Sequence, residues 1–175
     1  AAVLGQCTAL AHLNLGSNNI SDEGLARLAG VMRQCTSLAH LDLSNNCIRS
    51  YGAENLAVGL AQCQSFTHLN LQGNRIGDVG MACLAPVLGN CVSLGHLDLR
   101  HNKIGPEGVE CLAGVLKQCT LLANLYLGLN DIGDEGTVKL AAALQKCALL
   151  THLDLSDNNV KVEGVKSLAP VLRLF

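Results

Sequence analysis

Residues 38–48 read LAHLDLSNNCI. Leu41 and Leu43 share one face of an extended strand, and His40 and Asp42 share the other. Two opposed readings follow. His40 and Asp42 side by side are the residue types of an acid–base pair or of half a metal site. The leucine frame, in contrast, is the pattern of a strand with one buried face. The rest of the chain decides between them.

The first leucine recurs as Leu10, Leu38, Phe66, Leu94, Leu122 and Leu150, a register of 28 residues that never slips. Repetition at this period marks a stacked-repeat architecture. Three positions on come Leu13, Leu41, Leu69, Leu97, Leu125 and Leu153, and two further Leu15, Leu43, Leu71, Leu99, Leu127 and Leu155. An unbroken asparagine column follows at Asn18, Asn46, Asn74, Asn102, Asn130 and Asn158, then Ile20, Ile48, Ile76, Ile104, Ile132 and Val160. The unit therefore reads LxxLxLxxNxI. A glycine column (Gly24 to Gly164), a Leu-Ala pair and a cysteine column (Cys7, Cys35, Cys63, Cys91, Cys119, Cys147) complete it.

Alternating leucines predict a short strand, and Gly24, Leu25, Leu28, Ala29 and Met32 recur at helical spacing, so each unit is a strand followed by a helix. Asp22, Ser50, Asp78 and Asp134 are expected to cap the helices they precede, with Pro106 in a first turn. Parallel strands stack about 4.8 Å apart while helices pack no closer than about 8 Å. The mismatch bends the stack into an arc. The expected fold is α/β, a right-handed strand-helix solenoid with a parallel sheet on the concave face and helices on the convex face. One domain covers 1–175, with residues 1–9 forming the tail of a preceding unit.

The unit resembles a leucine-rich repeat of the ribonuclease-inhibitor-like kind, and the resemblance covers essentially the whole chain. It implies that the asparagine side chain binds backbone groups of its turn and of the adjoining unit. That fits the physics of a chain turning inside a solenoid, whose buried donors and acceptors need partners.

Composition narrows the function. The chain has 175 residues, 49% hydrophobic and 15% charged, a net charge of -2, no Trp, two Tyr and two Phe. With no basic run and almost no aromatic side chains to stack on bases, neither nucleic acid nor an anionic membrane is an expected partner. No apolar run reaches the length of a membrane span, and AAVLGQC lacks the charged start of a signal peptide. Nine cysteines, an odd count without metal-ligand spacing, suit reduced thiols buried in a turn and a cytoplasmic protein.

The third and fifth positions of the six units pair His12/Asn14, His40/Asp42, His68/Asn70, His96/Asp98, Asn124/Tyr126 and His152/Asp154. A catalytic pair repeated across a sheet lacks the single convergent constellation that catalysis needs, so the chain reads as no enzyme. Neighbouring imidazoles can approach a common metal ion, but an open ladder supplies no closed geometry, and no cofactor or metal is expected. With His101 added, all six histidines are placed on the concave face beside Asp42, Asp98, Asp154, Asp157 and Arg100. Binding there is expected to change between about pH 7.5 and 5.5.

Departures from the pattern point to a contact patch. The fifth unit, LANLYLGLNDI, places Asn124, Tyr126, Gly128 and Leu129 where other units are polar, beside His96, Asp98, Arg100 and His101 of the fourth. An exposed Tyr and Leu next to an Arg have the composition of an interaction hot spot, and Gly128 is expected to leave room above the sheet. His68 and Asn70 extend the patch. A second departure, Cys47 to Tyr51, lies ahead of the second helix.

The expectation is a protein-protein interaction module holding its partner on the concave face. Uniform 28-residue units are most similar to the repeats of NACHT and leucine-rich-repeat innate-immune sensors, which implies a fragment of a larger cytosolic sensor or adaptor. The alternative resemblance is to Ran GTPase-activating proteins, although no residues match a GTPase-contacting site. Ends without polar caps, AAVLGQC and PVLRLF, add the expectation of further repeats or of end-to-end self-association.

Overall fold

The computed structural model describes residues 8–61, 63 and 65–173. Cys7 of the cysteine column, with the rest of the tail AAVLGQC, and Phe175 lie outside them. Strands β1 (His12–Asn14), β2 (His40–Asp42), β3 (His68–Asn70), β4 (His96–Asp98), β5 (Asn124–Tyr126) and β6 (His152–Asp154) alternate with six helices. These are α1 (Asp22–Met32), α2 (Ser50–Leu60), α3 (Gly77–Asn90), α4 (Pro106–Leu116), α5 (Gly133–Leu144) and α6 (Val162–Leu168). The strands form one parallel sheet in the order β1-β2-β3-β4-β5-β6, and each helix packs on the next.

The register is set by the repeat. Leu13, Leu41, Leu69, Leu97, Leu125 and Leu153 pair strand to strand, so identical side chains sit above one another. In the four inner units the three leucine columns, from Leu38 to Leu127, are buried together with Ile48, Ile76, Ile104 and Ile132. The same columns in the outer units, at Leu13, Leu15, Leu153 and Leu155, are only partly buried because each has a neighbour on one side. The core is thus a row of aliphatic layers between sheet and helices, with Phe66 replacing one leucine.

The asparagine column closes the turns. Asn102 donates through Nδ2 to the carbonyls of Leu99 at 3.2 Å and Arg100 at 3.1 Å in its own unit, and to Leu71 of the unit before at 2.8 Å. Its Oδ1 accepts from the Ile76 amide at 3.4 Å. Asn46, Asn74, Asn130 and Asn158 repeat the arrangement, each reaching a carbonyl of the preceding unit at 2.8 to 3.0 Å. Asn18, in the first unit, bonds to Leu15 and Gly16 of its own turn and is exposed.

The eighth position of every unit must turn with positive φ. Ser17, Asn45, Gly73, His101, Leu129 and Asp157 all lie between 50° and 69°. Five of these are polar residues or glycine, which tolerate the left-handed region. Leu129 does so least readily.

Helix capping differs from the expectation. Asp22, Asp78 and Asp134 lie in the first turns of α1, α3 and α5, and their carboxylates reach forward to the next helix rather than capping their own. Asp78 Oδ1 accepts from Gly105 N at 2.6 Å and Gly108 N at 2.9 Å, at the start of α4. Asp134 Oδ1 does the same for Lys161 N at 2.6 Å and Gly164 N at 3.0 Å, and Asp22 Oδ1 takes Arg49 N at 2.7 Å. Side-by-side stacking brings a carboxylate level with the neighbour's free amides and positive dipole end. A Cβ on Gly108 would press on the Asp78 carboxylate and come within 2.9 Å of Ile104 Cγ2, which explains the glycine there. Pro106 opens α4 as expected.

The cysteine column packs as a buried turn. Cys63, Cys91, Cys119 and Cys147 are free thiols facing backbone carbonyls, for example Cys119 Sγ to Leu88 O at 3.5 Å. Burial pushes the Cys91 and Cys119 thiols up to about 11, so at neutral pH they are protonated and weakly nucleophilic.

Two outcomes test this account in denaturant unfolding. Asn102→Ala strands a buried amide and buried carbonyls and is expected to cost about 3 kcal/mol, whereas Asn18→Ala stays within about 0.5 kcal/mol. Asp78→Ala is expected to cost about 1 kcal/mol through α4, a helix that it does not belong to.

Candidate functional site

The solvent face of the sheet is built from the third, fifth and seventh positions of the units. Because the strands pair without offset, His12, His40, His68 and His96 are successive Cα partners. Their rings stack. Centroids of His12 and His40 lie 4.1 Å apart at 18°, those of His40 and His68 4.1 Å apart at 19°, and those of His68 and His96 5.3 Å apart at 21°. Asn124 interrupts the column, and the stack crosses instead to Tyr126, whose ring is 5.2 Å from that of His96 and tilted by 45°. Arg100 ends it, with Cζ 5.0 Å from the Tyr126 ring centre, within cation–π range.

Of the expected patch, the structure brings together His68, His96, Tyr126 and Arg100 in this run. His101 and Leu129 are exposed in the adjacent turns, Leu129 to 50%. His152 is exposed on β6, beyond Asn124. Asp98, expected on the open face, is only 3% exposed. Arg100 covers it, with Nη2 at 2.6 Å from Oδ2 and Nε at 3.1 Å from both oxygens, while Nη2 also donates to Gln72 Oε1 at 3.2 Å. The hydrogen bonds it donates to Asp98 raise the guanidinium's pKa, and Arg100 is therefore a fixed cation already paired.

The fifth position has a structural task that the sequence reading overlooked. Asn14, Asp42, Asn70, Asp98 and Asp154 each accept, through Oδ1, the amide two residues ahead, at 2.8 to 3.0 Å. This is the side-chain-to-backbone turn bond that Asn and Asp make readily. The alternation of Asn and Asp ahead of each turn was its visible signal. Tyr126 has no such acceptor, so the fifth unit gives up this bond for a ring. The room expected beside Gly128 is taken: a Cβ there would lie 2.7 Å from Ser156 Oγ and 2.9 Å from Asp154 Oδ2.

Over β1 to β4 the histidines and the fifth-position residues enclose a depression of about 260 Å³. His40 is half-buried at its centre, and its Nδ1 is enclosed without a hydrogen-bond partner. His68 Nδ1 lies 2.9 Å from Thr67 Oγ1. Among the described residues no group of three or more His, Cys, Asp or Glu side chains is arranged to hold a metal ion.

Stacking has an electrostatic consequence. Burial lowers the pKa of His40, and the neighbouring His68 and His12 lower it further. Burial, then His96 and His12, do the same for His68. For His96, burial lowers it, Asp98 opposes, and Arg100 and His40 lower it again. These three rings are therefore neutral at pH 7 and charge only below the ordinary imidazole range near 6.5, a lower window than the sequence suggested.

A family model described as Leucine Rich repeat matches residues 6–29, 34–57, 62–85, 90–113, 118–141 and 146–169. The chain belongs to the leucine-rich-repeat family. No curated protein matches it in sequence. Among solved structures, the chain is similar to the crystal structure of PEPR1-AtPEP1, with a TM-score of 0.55 and 20% identity over 95% of this chain. It spans 21% of that chain. It is also similar to leiomodin-1 actin-binding site 2, with a TM-score of 0.54 and 17% identity over 98% of this chain and 84% of the other. At these identities the likeness is one of fold. No helix among the described residues is long and apolar enough to cross a membrane.

Linkage fixes the direction of a pH effect. A histidine whose pKa is lower in the folded state binds fewer protons there than in the unfolded chain, so stability is full above about pH 6.5 and falls as pH drops toward the folded-state pKa. The melting midpoint is expected to fall between about pH 7.5 and 5.0, and His40→Gln is expected to flatten that slope in calorimetric scans.

Proposed function

We propose that this chain is a protein-interaction module whose partner lies on the open face of the sheet and is gripped at the fourth and fifth units. The contact residues are His96, Asp98, Arg100, His101, Asn124, Tyr126 and Leu129, with His68 and Asn70 at the margin. Asp98 acts from beneath, by holding Arg100 in place.

The observation that carries this reading is Leu129. It occupies a left-handed turn with φ of 58° and is 50% exposed, so neither backbone preference nor burial accounts for it. Strain without a structural return is a signature of a binding position. Next to it, Tyr126 forgoes the turn bond made at the equivalent position of every other unit, and presents a ring braced by His96 and Arg100. Tyr and Arg, pre-ordered and half-exposed, are the side chains that dominate interface energies.

Fold likeness supports the general class. The leiomodin-1 structure is an actin-binding site and the other is PEPR1-AtPEP1, and a stack of repeats offers an extended face for binding. The resemblance to sensors with a NACHT module suggests a repeat segment of a larger cytosolic sensor or adaptor, a reading carried by unit length.

Leu129→Asn separates binding from folding, because Asn45 holds the same turn in the second unit. It is expected to hold or raise stability, by about 0.5 kcal/mol, while Leu129→Asn and Tyr126→Ala each weaken partner binding by about tenfold or more. Affinity capture with quantitative mass spectrometry, with Val138→Ala on the helical face as control, reads this out. Proteins captured equally by all variants would remove the patch.

A further inference from the structure

We infer that the depression over β1 to β4 receives a guanidinium group, an arginine side chain of the protein partner, and that the neutral imidazole stack makes this seat usable only above acidic pH. This rests on the open sheet face being the binding face; the seat is centred on His40 and Asp42 and meets the patch at Tyr126 and Leu129 only along His68, Asn70 and His96.

Three features define the guest. The first is an unpaired ring: His40 makes no side-chain hydrogen bond, and because Nδ1 is enclosed, Nε2 is the nitrogen left to meet a guest. A neutral imidazole carries one acceptor nitrogen, and an open one can take an N–H from a guest. The second is charge. Asp42 lines the depression with Asn14, Asn70 and the imidazoles of His12, His40 and His68, and no cationic side chain lines it. On the third, fifth and seventh positions of the whole face the carboxylates are Asp42, Asp98 and Asp154, against Arg100, which is already bound to Asp98 at 2.6 Å. An anionic guest would meet Asp42 unscreened, whereas a cation is complementary.

The third feature is spacing. His40 and Asp42 are two residues apart on one strand face, about 6.5 Å along the strand. A guanidinium carries five N–H donors in a rigid fork and can donate to an imidazole nitrogen and a carboxylate together. An ammonium, a compact point charge, fits that separation less well. Asp42 is ready for the role: Oδ1 holds the Ser44 amide at 2.8 Å and Oδ2 accepts from Asn70 Nδ2 at 3.2 Å, so the carboxylate is fixed while lone pairs remain.

Acid opposes this guest. His40 faces His12 from β1, Asp42 on its own strand and His68 from β3, with His96, Asp98 and Arg100 further along the face and Tyr126 beyond. Protonating the stack would take the imidazole acceptor away and surround the seat with positive rings, leaving Asp42 as the one nearby attractive charge.

The probe is N-acetyl-glycyl-arginyl-glycinamide, titrated into the isotope-labelled protein while the imidazole resonances are followed by NMR. Its neutral citrulline analogue and its lysine analogue serve as comparisons. At about pH 7.5 the arginine peptide is expected to give saturable shifts at His12, His40 and His68, with the citrulline peptide at least about fivefold weaker. Asp42→Asn is expected to weaken the arginine peptide to the same degree while leaving the fold intact, since Asn14 and Asn70 make the same turn bond. At about pH 5.0 the shifts should be lost. Equal response to arginine and citrulline, tighter binding of lysine, indifference to Asp42→Asn, unchanged binding in acid, or no shifts at all would each overturn the assignment. Leu129→Asn should leave the titration unchanged. A failed titration with partner capture still sensitive to Leu129 would sink this seat alone, and the converse would sink the module reading alone.

Discussion

Stacking identical units creates a backbone problem before it creates a surface. Every chain that leaves a three-residue strand turns with its amides and carbonyls inside the stack, where water cannot reach them. One asparagine per unit solves this, because a carboxamide alone among small side chains offers two donors and an acceptor in one plane. Its donors tie the turn to itself and to a carbonyl of the preceding unit, as Asn102 does with Leu99 and Leu71, while its oxygen takes an amide of that preceding unit. The leucine and isoleucine columns supply most of the apolar burial, but burial alone does not fix register. The carboxamide does, since a slip of a single residue would leave both its unit and the neighbour's with unpaired buried groups.

A second inter-unit link runs along the helical side and is not uniform. The forward reach of Asp22, Asp78 and Asp134 joins first to second, third to fourth and fifth to sixth units, and Gly77 and Gly133 enter the intervening helices differently, with φ of 61° and amides bonded to Asn102 O and Asn158 O. The stack is therefore a row of pairs as well as a row of units. A 28-residue register hides this, because alternate units differ in one or two side chains while keeping the same length.

The architecture was legible because it is repetitive: six copies of LxxLxLxxNxI average out local ambiguity, and strand and helix periods could be read from column to column. What escaped was where side chains reach, within a unit and across units. Asp78 looks like a cap for its own helix until the neighbouring helix is seen beside it, and Asp98 looks exposed until Arg100 folds back over it. The imidazole stack lies between these cases. A histidine at the third position of five of the six units was plain, but that the rings of His12, His40 and His68 stack at 4.1 Å follows from zero-offset parallel pairing and not from composition.

Repetition also makes specificity local. In a solenoid each unit touches only its neighbours, so a change in one unit alters one strip of surface and leaves the rest of the core in place. The fifth unit shows what this permits. It carries the leucines, asparagine and isoleucine that the scaffold requires, and departs only where the scaffold makes weak demands: Tyr126 where a turn bond is dispensable, Leu129 where a left-handed turn tolerates an unfavourable residue. Neither departure is required by the scaffold: Tyr126 lays its ring against a fixed guanidinium, and Leu129 leaves apolar area exposed in the turn that follows. The loss of local stability at these two positions, on a face otherwise polar and regular, is the physical argument for the proposal that a partner is seated there.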